Sequence, residues 1–183
     1  VIGPLGTTLW EDGVGKGAAV RIDDGPEVSV SVELEADRRV LWGLVTDLDL
    51  PARFSDEFQG AEWLDGADGP RAGARFAGHN ENPHLGAWDV TCTVVECEEG
   101  VRFGWVVGDP SAPAAAWRYE IEEAGDILRL IHWGRIGPGP SGLTPMIAAD
   151  PGAEEAIVEM RLGMWRRNME ATVRGIAALA ASR

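Results

Sequence analysis

The stretch GHNENPHLG, from Gly78 to Gly86, gathers His79, Glu81 and His84, and the chain has only 3 histidines in all. Imidazoles and a carboxylate this close together can hold a divalent metal or move protons. A zinc site, however, takes three or four ligands on a rigid frame. Here the candidates sit on a short connection whose Pro83 and Gly86 supply turn chemistry, with no cysteine or third histidine expected nearby in the fold. The stretch therefore reads as a polar turn between two strands, and no metal is expected. Three other side chains carry chemistry of their own. His132, in ILRLIHW, can serve as a general acid or base, because an unperturbed imidazole titrates near about 6.5. Tyr119, in AAWRYEI, can donate a phenolic proton. Asn80 can hold a carbonyl or enolate oxygen through its amide. Each has a structural alternative: a core histidine satisfied by a neighbouring group, a buried tyrosine with a satisfied hydroxyl, an amide that caps a strand end.

The composition narrows the partners. A length of 183 residues suits one domain with a sizeable core. Sixteen basic against 30 acidic residues give a net charge of −14. Such a surface repels phosphate backbones, which argues against nucleic acid and anionic membranes as partners. No apolar run approaches the roughly 20 residues of a membrane helix. Cys92 and Cys97 lie in one strand at an odd offset, which puts them on opposite faces and too far apart for a disulfide. Two lone thiols without a signal peptide point to a reducing cytoplasm. The 8 tryptophans are spread along the chain and suit either core packing or the wall of a ligand cavity.

The elements that must position these groups follow from periodicity. Residues 1–26 are rich in Gly and Asp and read as a weakly structured arm, in which Ala18–Ile22 is a candidate added strand. From Glu27, EVSVSVELEA alternates as a half-buried strand. Asp37 is placed to cap a helix carrying Val40, Leu41, Leu44, Val45 and Leu48. Pro51 breaks that pattern, and ARFSDEF reads as a second short helix. Six strands follow, in GAEWL, ARFAGHN, AWDVTCTVVEC, VRFGWVV, AAAWRYEIEE and ILRLIHWGRI. Their short connections imply an antiparallel meander. Gly137–Gly152 is a long Pro/Gly-rich connection of the kind that often forms a lid or binding loop. A long helix then runs from about Ala153 to Ala181, with Val158, Leu162, Trp165, Met169, Thr172, Ile176 and Ala180 on one stripe. Arg161, Arg166, Arg167 and Arg174 lie mostly outside it. The domain proper is taken as 27–183. It is an α+β fold: a curved antiparallel sheet of about seven strands around a long C-terminal helix, with two short helices after the first strand.

This order resembles the helix-grip arrangement of the SRPBCC superfamily, which includes START, pollen-allergen-like and polyketide cyclase proteins. VSVELEADRRVLWGLVTDLDLPARFSDEFQGAEWLDG is similar to that family's first strand, helix pair and second strand. GARFAGHN, LGAWDVTCTVVECEEGVRFGWVVGD and WRYEIEEAGDILRLIHWGRIGPGPSGL resemble its later strands, and EEAIVEMRLGMWRRNMEATVRGIAALA its closing helix. The resemblance implies a cavity between sheet and helix. It also implies a role among cyclases, dehydratases, carriers and receptors, since one fold hosts many activities. The related aromatase/cyclases fold a poly-β-ketone chain in the cavity and orient proton transfers in ring closure and dehydration. A cavity arginine recurs among them; here Arg75, Arg118 and Arg129 all fall on the outward parity, so no counterpart is assigned.

Strand alternation assigns the inward set; in ILRLIHW the parity is less clear, and Arg129 marks the set of Ile127, Ile131 and Trp133 as water-facing, in agreement with the family pattern. Asn80, Trp88, Cys92, Phe103, Trp105, Trp117, Tyr119, Leu130 and His132 face the cavity, joined by Trp165 and Met169 from the long helix; His79 faces out. His132, Tyr119 and Asn80 are the candidate catalytic groups, and the others would contact the ligand. The sequence holds no Gly-rich nucleotide loop and no G-x-S-x-G elbow, so no cofactor is expected. The expected partner is a hydrophobic, aromatic or polyketide-like small molecule, and a homodimer is left open. The alternative functions are an acid/base cyclase or dehydratase and a protein-contact module, the last of which would have a filled cavity and an exposed apolar patch.

Overall fold

The computed structural model describes residues 20–83 and 86–182. Residues 1–19 and His84 of the opening stretch therefore lie outside the described residues. Strand β1, Glu27–Leu34, carries the clean alternation of the sequence: Val28, Val30 and Leu34 are buried, while Ser29, Ser31 and Glu33 are exposed. Helix α1, Arg38–Val45, starts at Asp37. The Asp37 carboxylate accepts from the backbone N–H groups of Arg39 at 2.8 Å and Val40 at 3.1 Å, a cap that contributes about 1 kcal/mol. Leu41, Leu44 and Val45 form the buried face of α1.

The second helix expected over ARFSDEF is instead a 3-10 turn slightly earlier, Leu50–Arg53. Pro51 explains the shift. Its fixed φ suits a first helical turn, where a missing N–H costs nothing. The Ser55 hydroxyl then accepts from the N–H groups of Glu57 at 3.1 Å and Phe58 at 2.9 Å, and the chain enters strand β2, Phe58–Trp63.

Strands β3 (Arg75–Asn82), β4 (Gly86–Glu98), β5 (Arg102–Val107), β6 (Ala115–Ala124) and β7 (Ile127–Ile136) complete the meander. The sheet has seven strands in the order β1-β7-β6-β5-β4-β3-β2, and every neighbouring pair is antiparallel. One irregularity overturns an expectation. The register between β4 and β5 slips between Val94 and Glu96, so the exposed Val95 is a bulge residue and parity inverts beyond it. Cys92 opposes Val107 and Cys97 opposes Phe103, which puts the two cysteines on the same face rather than on opposite ones. Both are free thiols.

The Pro/Gly-rich connection is not wholly irregular: it contains helix α2, Leu143–Ala149, anchored by the buried Leu143. Pro145 lies in its first turn, where proline is tolerated. Helix α3, Glu154–Ala181, has 28 residues and buries Val158, Trp165, Met169, Thr172, Val173, Ile176 and Ala180. It packs mainly on β1 and α1, with further contact to β7 and α2. The candidate strand Ala18–Ile22 falls partly outside the described residues. Its described end leads into a 3-10 turn, Ile22–Asp24. That turn is tied to the start of α3 by the buried Glu154, which accepts from the Ile22 N–H at 3.0 Å and pairs with Arg21 at 2.8 Å. This is the helix-grip architecture. Among the described residues no helix is long and apolar enough to cross a membrane.

Candidate functional site

Because α3 rests on the β1 side of the sheet, space remains between it and the inner faces of β3 to β6. It forms a cavity of about 940 Å³, the upper part of the range that holds a drug-sized molecule. A cavity of this size departs from the filled interior that a protein-contact module would have.

Alternation delivers the wall. Asn80 from β3, Trp88 and Cys92 from β4, Phe103 and Trp105 from β5, and Trp117 and Tyr119 from β6 all line the cavity. His132 from β7 and Trp165 and Met169 from α3 do so as well. Leu130 does not. It shares His132's parity but lies one pair further along β7, opposite Val32 and Ile121, where it is fully buried in the core. His79 points away from the cavity. Its Nδ1 lies 2.8 Å from the exposed Asp89 carboxylate, and that hydrogen bond holds its pKa above the ordinary imidazole value. Among the described residues, no three His, Cys, Asp or Glu side chains converge as metal ligands.

The polar centre lies on β6 and β7. Tyr119 and His132 are register partners, and their rings stack with centroids 4.2 Å apart and planes 27° from parallel. Trp117 lies 5.7 Å from His132 and 4.2 Å from Trp165, centroid to centroid. Neither ring nitrogen of His132, nor the Trp165 indole N–H, has a protein hydrogen-bond partner. Burial pushes the His132 pKa down to about 3 and raises that of Tyr119. At neutral pH the site thus holds a neutral imidazole with one donor and one acceptor, a protonated phenol and an indole donor. Burial likewise pushes the Cys92 thiol up to about 12, so it acts as a small apolar surface rather than as a nucleophile.

Asn80 is not part of this cluster. It sits on β3, with β4, β5 and β6 intervening before β7, roughly 19 Å along the sheet at about 4.8 Å per strand. Its amide faces its own strand, with Nδ2 3.5 Å from the Gly78 carbonyl oxygen.

A second polar group stands at the Asn80 end, and the sequence did not announce it. Arg161 of α3 lines the cavity instead of facing solvent with Arg166, Arg167 and Arg174, which are exposed. Its Nη1 and Nη2 each donate to one carboxylate oxygen of Glu57, at 2.7 Å. Asn82 Nδ2 donates to the same carboxylate at 3.0 Å. Arg161 also lies 5.4 Å over the Trp165 ring. A cavity arginine is therefore present, from the helix rather than from any of the strand arginines. The available signal was spacing: Arg161 and Asn168 fall three and ten residues after Val158, at helical positions beside the apolar stripe.

The glycine at 134 shapes the wall. It opposes Trp117 in register, and an added Cβ there would lie 2.6 Å from Trp117 Cζ3. Only a residue without a side chain lets the indole lie flat against β7 at this point.

Comparison with known proteins agrees with this architecture. Residues 25–180 match the model of the family described as polyketide cyclase / dehydrase and lipid transport. The fold resembles the solution structure of the polyketide cyclase-like protein Cgl2372 from Corynebacterium glutamicum, with a TM-score of 0.58 and 24% identity over 84% of this chain and 90% of that one. It also resembles the Zhui aromatase/cyclase from Streptomyces sp. R1128, with a TM-score of 0.61 and 13% identity over 86% of this chain and 94% of that one. The major latex-like protein 151 of Panax ginseng aligns with a TM-score of 0.56 at 10% identity, over 85% of this chain and 97% of that one. No protein of curated function matches the chain.

Proposed function

The chain belongs to the polyketide cyclase / dehydrase and lipid transport family, and from that premise we propose that it binds a hydrophobic, aromatic or polyketide-like small molecule between the sheet and α3. The observation that carries this reading is the cavity of about 940 Å³ walled by Trp88, Trp105, Trp117 and Trp165. Aromatic walls favour flat apolar ligands, and a few placed donors fix orientation. His132 and Trp165 supply such donors, since their ring nitrogens lack protein partners.

A second reading is cyclase or dehydratase chemistry, supported by the stacked Tyr119–His132 pair. Binding ranks first because an imidazole with a pKa near 3 is far from the value that suits a general base at neutral pH.

The test is a titration with the neutral fluorophore N-phenyl-1-naphthylamine, read by its emission and by tryptophan quenching. Saturable binding is expected in the wild type. The Val107→Trp variant fills the cavity from β5 and should weaken binding by about tenfold or more while unfolding at a similar temperature. No saturable binding, or full affinity in a folded Val107→Trp variant, would contradict the reading.

A further inference from the structure

We infer that Glu57 sets the charge preference of the cavity: by neutralising Arg161 it makes the site select uncharged ligands over anionic amphiphiles. The inference rests on the ligand-binding reading above. Arg161 is the one Lys or Arg side chain lining the cavity among the described residues. A guanidinium exposed to an apolar cavity would be a ready site for the carboxylate of a fatty acid, because its fork matches a carboxylate with two parallel hydrogen bonds. That geometry is already taken. Glu57 accepts from Nη1 and Nη2 at 2.7 Å, which fills the end-on fork of the guanidinium, and its carboxylate is held from a third side by Asn82 at 3.0 Å.

Glu57 has little freedom to leave. Its side chain is 11% exposed. Its backbone N–H donates to the Ser55 hydroxyl and its carbonyl accepts from the Glu81 N–H at 2.9 Å. A ligand anion that displaced it would leave one buried carboxylate without its partner, beside the other acidic groups of this end. Asp47 borders the same cavity, and Asp56 lines the smaller pocket next to it. Like charges gathered at one end of the cavity disfavour a further carboxylate there. The other polar groups, at the His132 end, are neutral donors and acceptors that suit a carbonyl or hydroxyl oxygen.

The experiment compares ligands of equal chain length, 1-dodecanol and dodecanoate, in displacement of N-phenyl-1-naphthylamine at neutral pH. Wild-type protein should bind dodecanol more tightly than dodecanoate by about tenfold or more, since the anion must displace or face Glu57. In Glu57→Gln, which keeps shape and removes charge, dodecanoate should gain affinity and the ratio should fall by about tenfold or reverse. In the double variant Glu57→Gln with Arg161→Met, the gain for dodecanoate should disappear. A wild type that binds both ligands equally overturns the inference without any variant, and so does an unchanged ratio in folded Glu57→Gln. If neither ligand nor the fluorophore binds wild type, the ligand-binding reading itself falls, a result distinct from a mere lack of preference.

Discussion

Tyr119 and His132 face each other across β6 and β7 with their rings stacked at 4.2 Å, inside a wall that offers His132 no hydrogen-bond partner. This arrangement holds an imidazole neutral. In the unfolded chain the imidazole titrates near about 6.5, whereas burial pushes it down to about 3 in the fold. Between those values the unfolded state holds the extra proton. The contribution of neutral His132 is therefore complete above about pH 6.5 and is lost as pH falls toward 3, with a slope approaching about 1.4 kcal/mol per pH unit. Urea unfolding at about pH 7.5 and about pH 5 should show a larger acid loss in wild type than in His132→Leu. Equal losses in the two proteins would mean that His132 is not the source of the acid sensitivity.

Gly134 makes a matching claim about shape. A methyl group there meets Trp117 at 2.6 Å, and backbone pairing fixes the separation, so the indole must move toward the cavity. Gly134→Ala is expected to cost about 1–3 kcal/mol of stability through overpacking. It should also weaken binding of N-phenyl-1-naphthylamine severalfold. Thermal unfolding and the fluorescence titration read the two effects separately. Unchanged values in both would show that Trp117 has room to adjust without touching the ligand space.

The difference between what was legible and what was not is physical. Strand parity is a period of two enforced by the backbone, so Phe103, Trp105, Trp117 and Tyr119 could be placed on one face from the sequence, whereas His132 needed Arg129 and the family pattern to choose between two mixed faces. Parity does not say how far along a strand the cavity extends, which is why Leu130 was assigned to the wall and lies in the core. Nor does it survive a bulge: nothing in TCTVVEC marks Val95 as the extra residue, and Cys97 changed faces with it. On α3 the apolar stripe was readable, but its border was not. Arg161 sits at that border, and only the position of Glu57, more than a hundred residues earlier, turns it inward. Long-range pairing of this kind has no local signature. The 3-10 turn at Leu50–Arg53 and helix α2 were missed for a simpler reason: proline in a first turn reads as a breaker until the turn is seen to begin on it.

Arg161 and Glu57 therefore carry a test of their own, on stability rather than ligand choice. The pair joins α3 to the segment preceding β2 across one end of the cavity, in a part of the sheet on which α3 does not mainly rest. Its side chains are 17% and 11% exposed, so water screens it slightly more than a fully buried pair. Arg161→Met alone leaves the Glu57 carboxylate with only Asn82 as a side-chain donor and should cost about 2–4 kcal/mol. Glu57→Gln alone strands the guanidinium near the Trp165 ring and should cost less, because the cation keeps the aromatic face. Removing both charges together should recover much of the loss, since two well-packed neutral groups replace an ion pair that had to be desolvated. The coupling energy of the double-mutant cycle is thus expected to be clearly different from zero, at about 1–3 kcal/mol. It is measured from urea midpoints at constant slope. Strictly additive losses would show that the pair does not tie the helix to the sheet, and that the cavity end is held by packing alone.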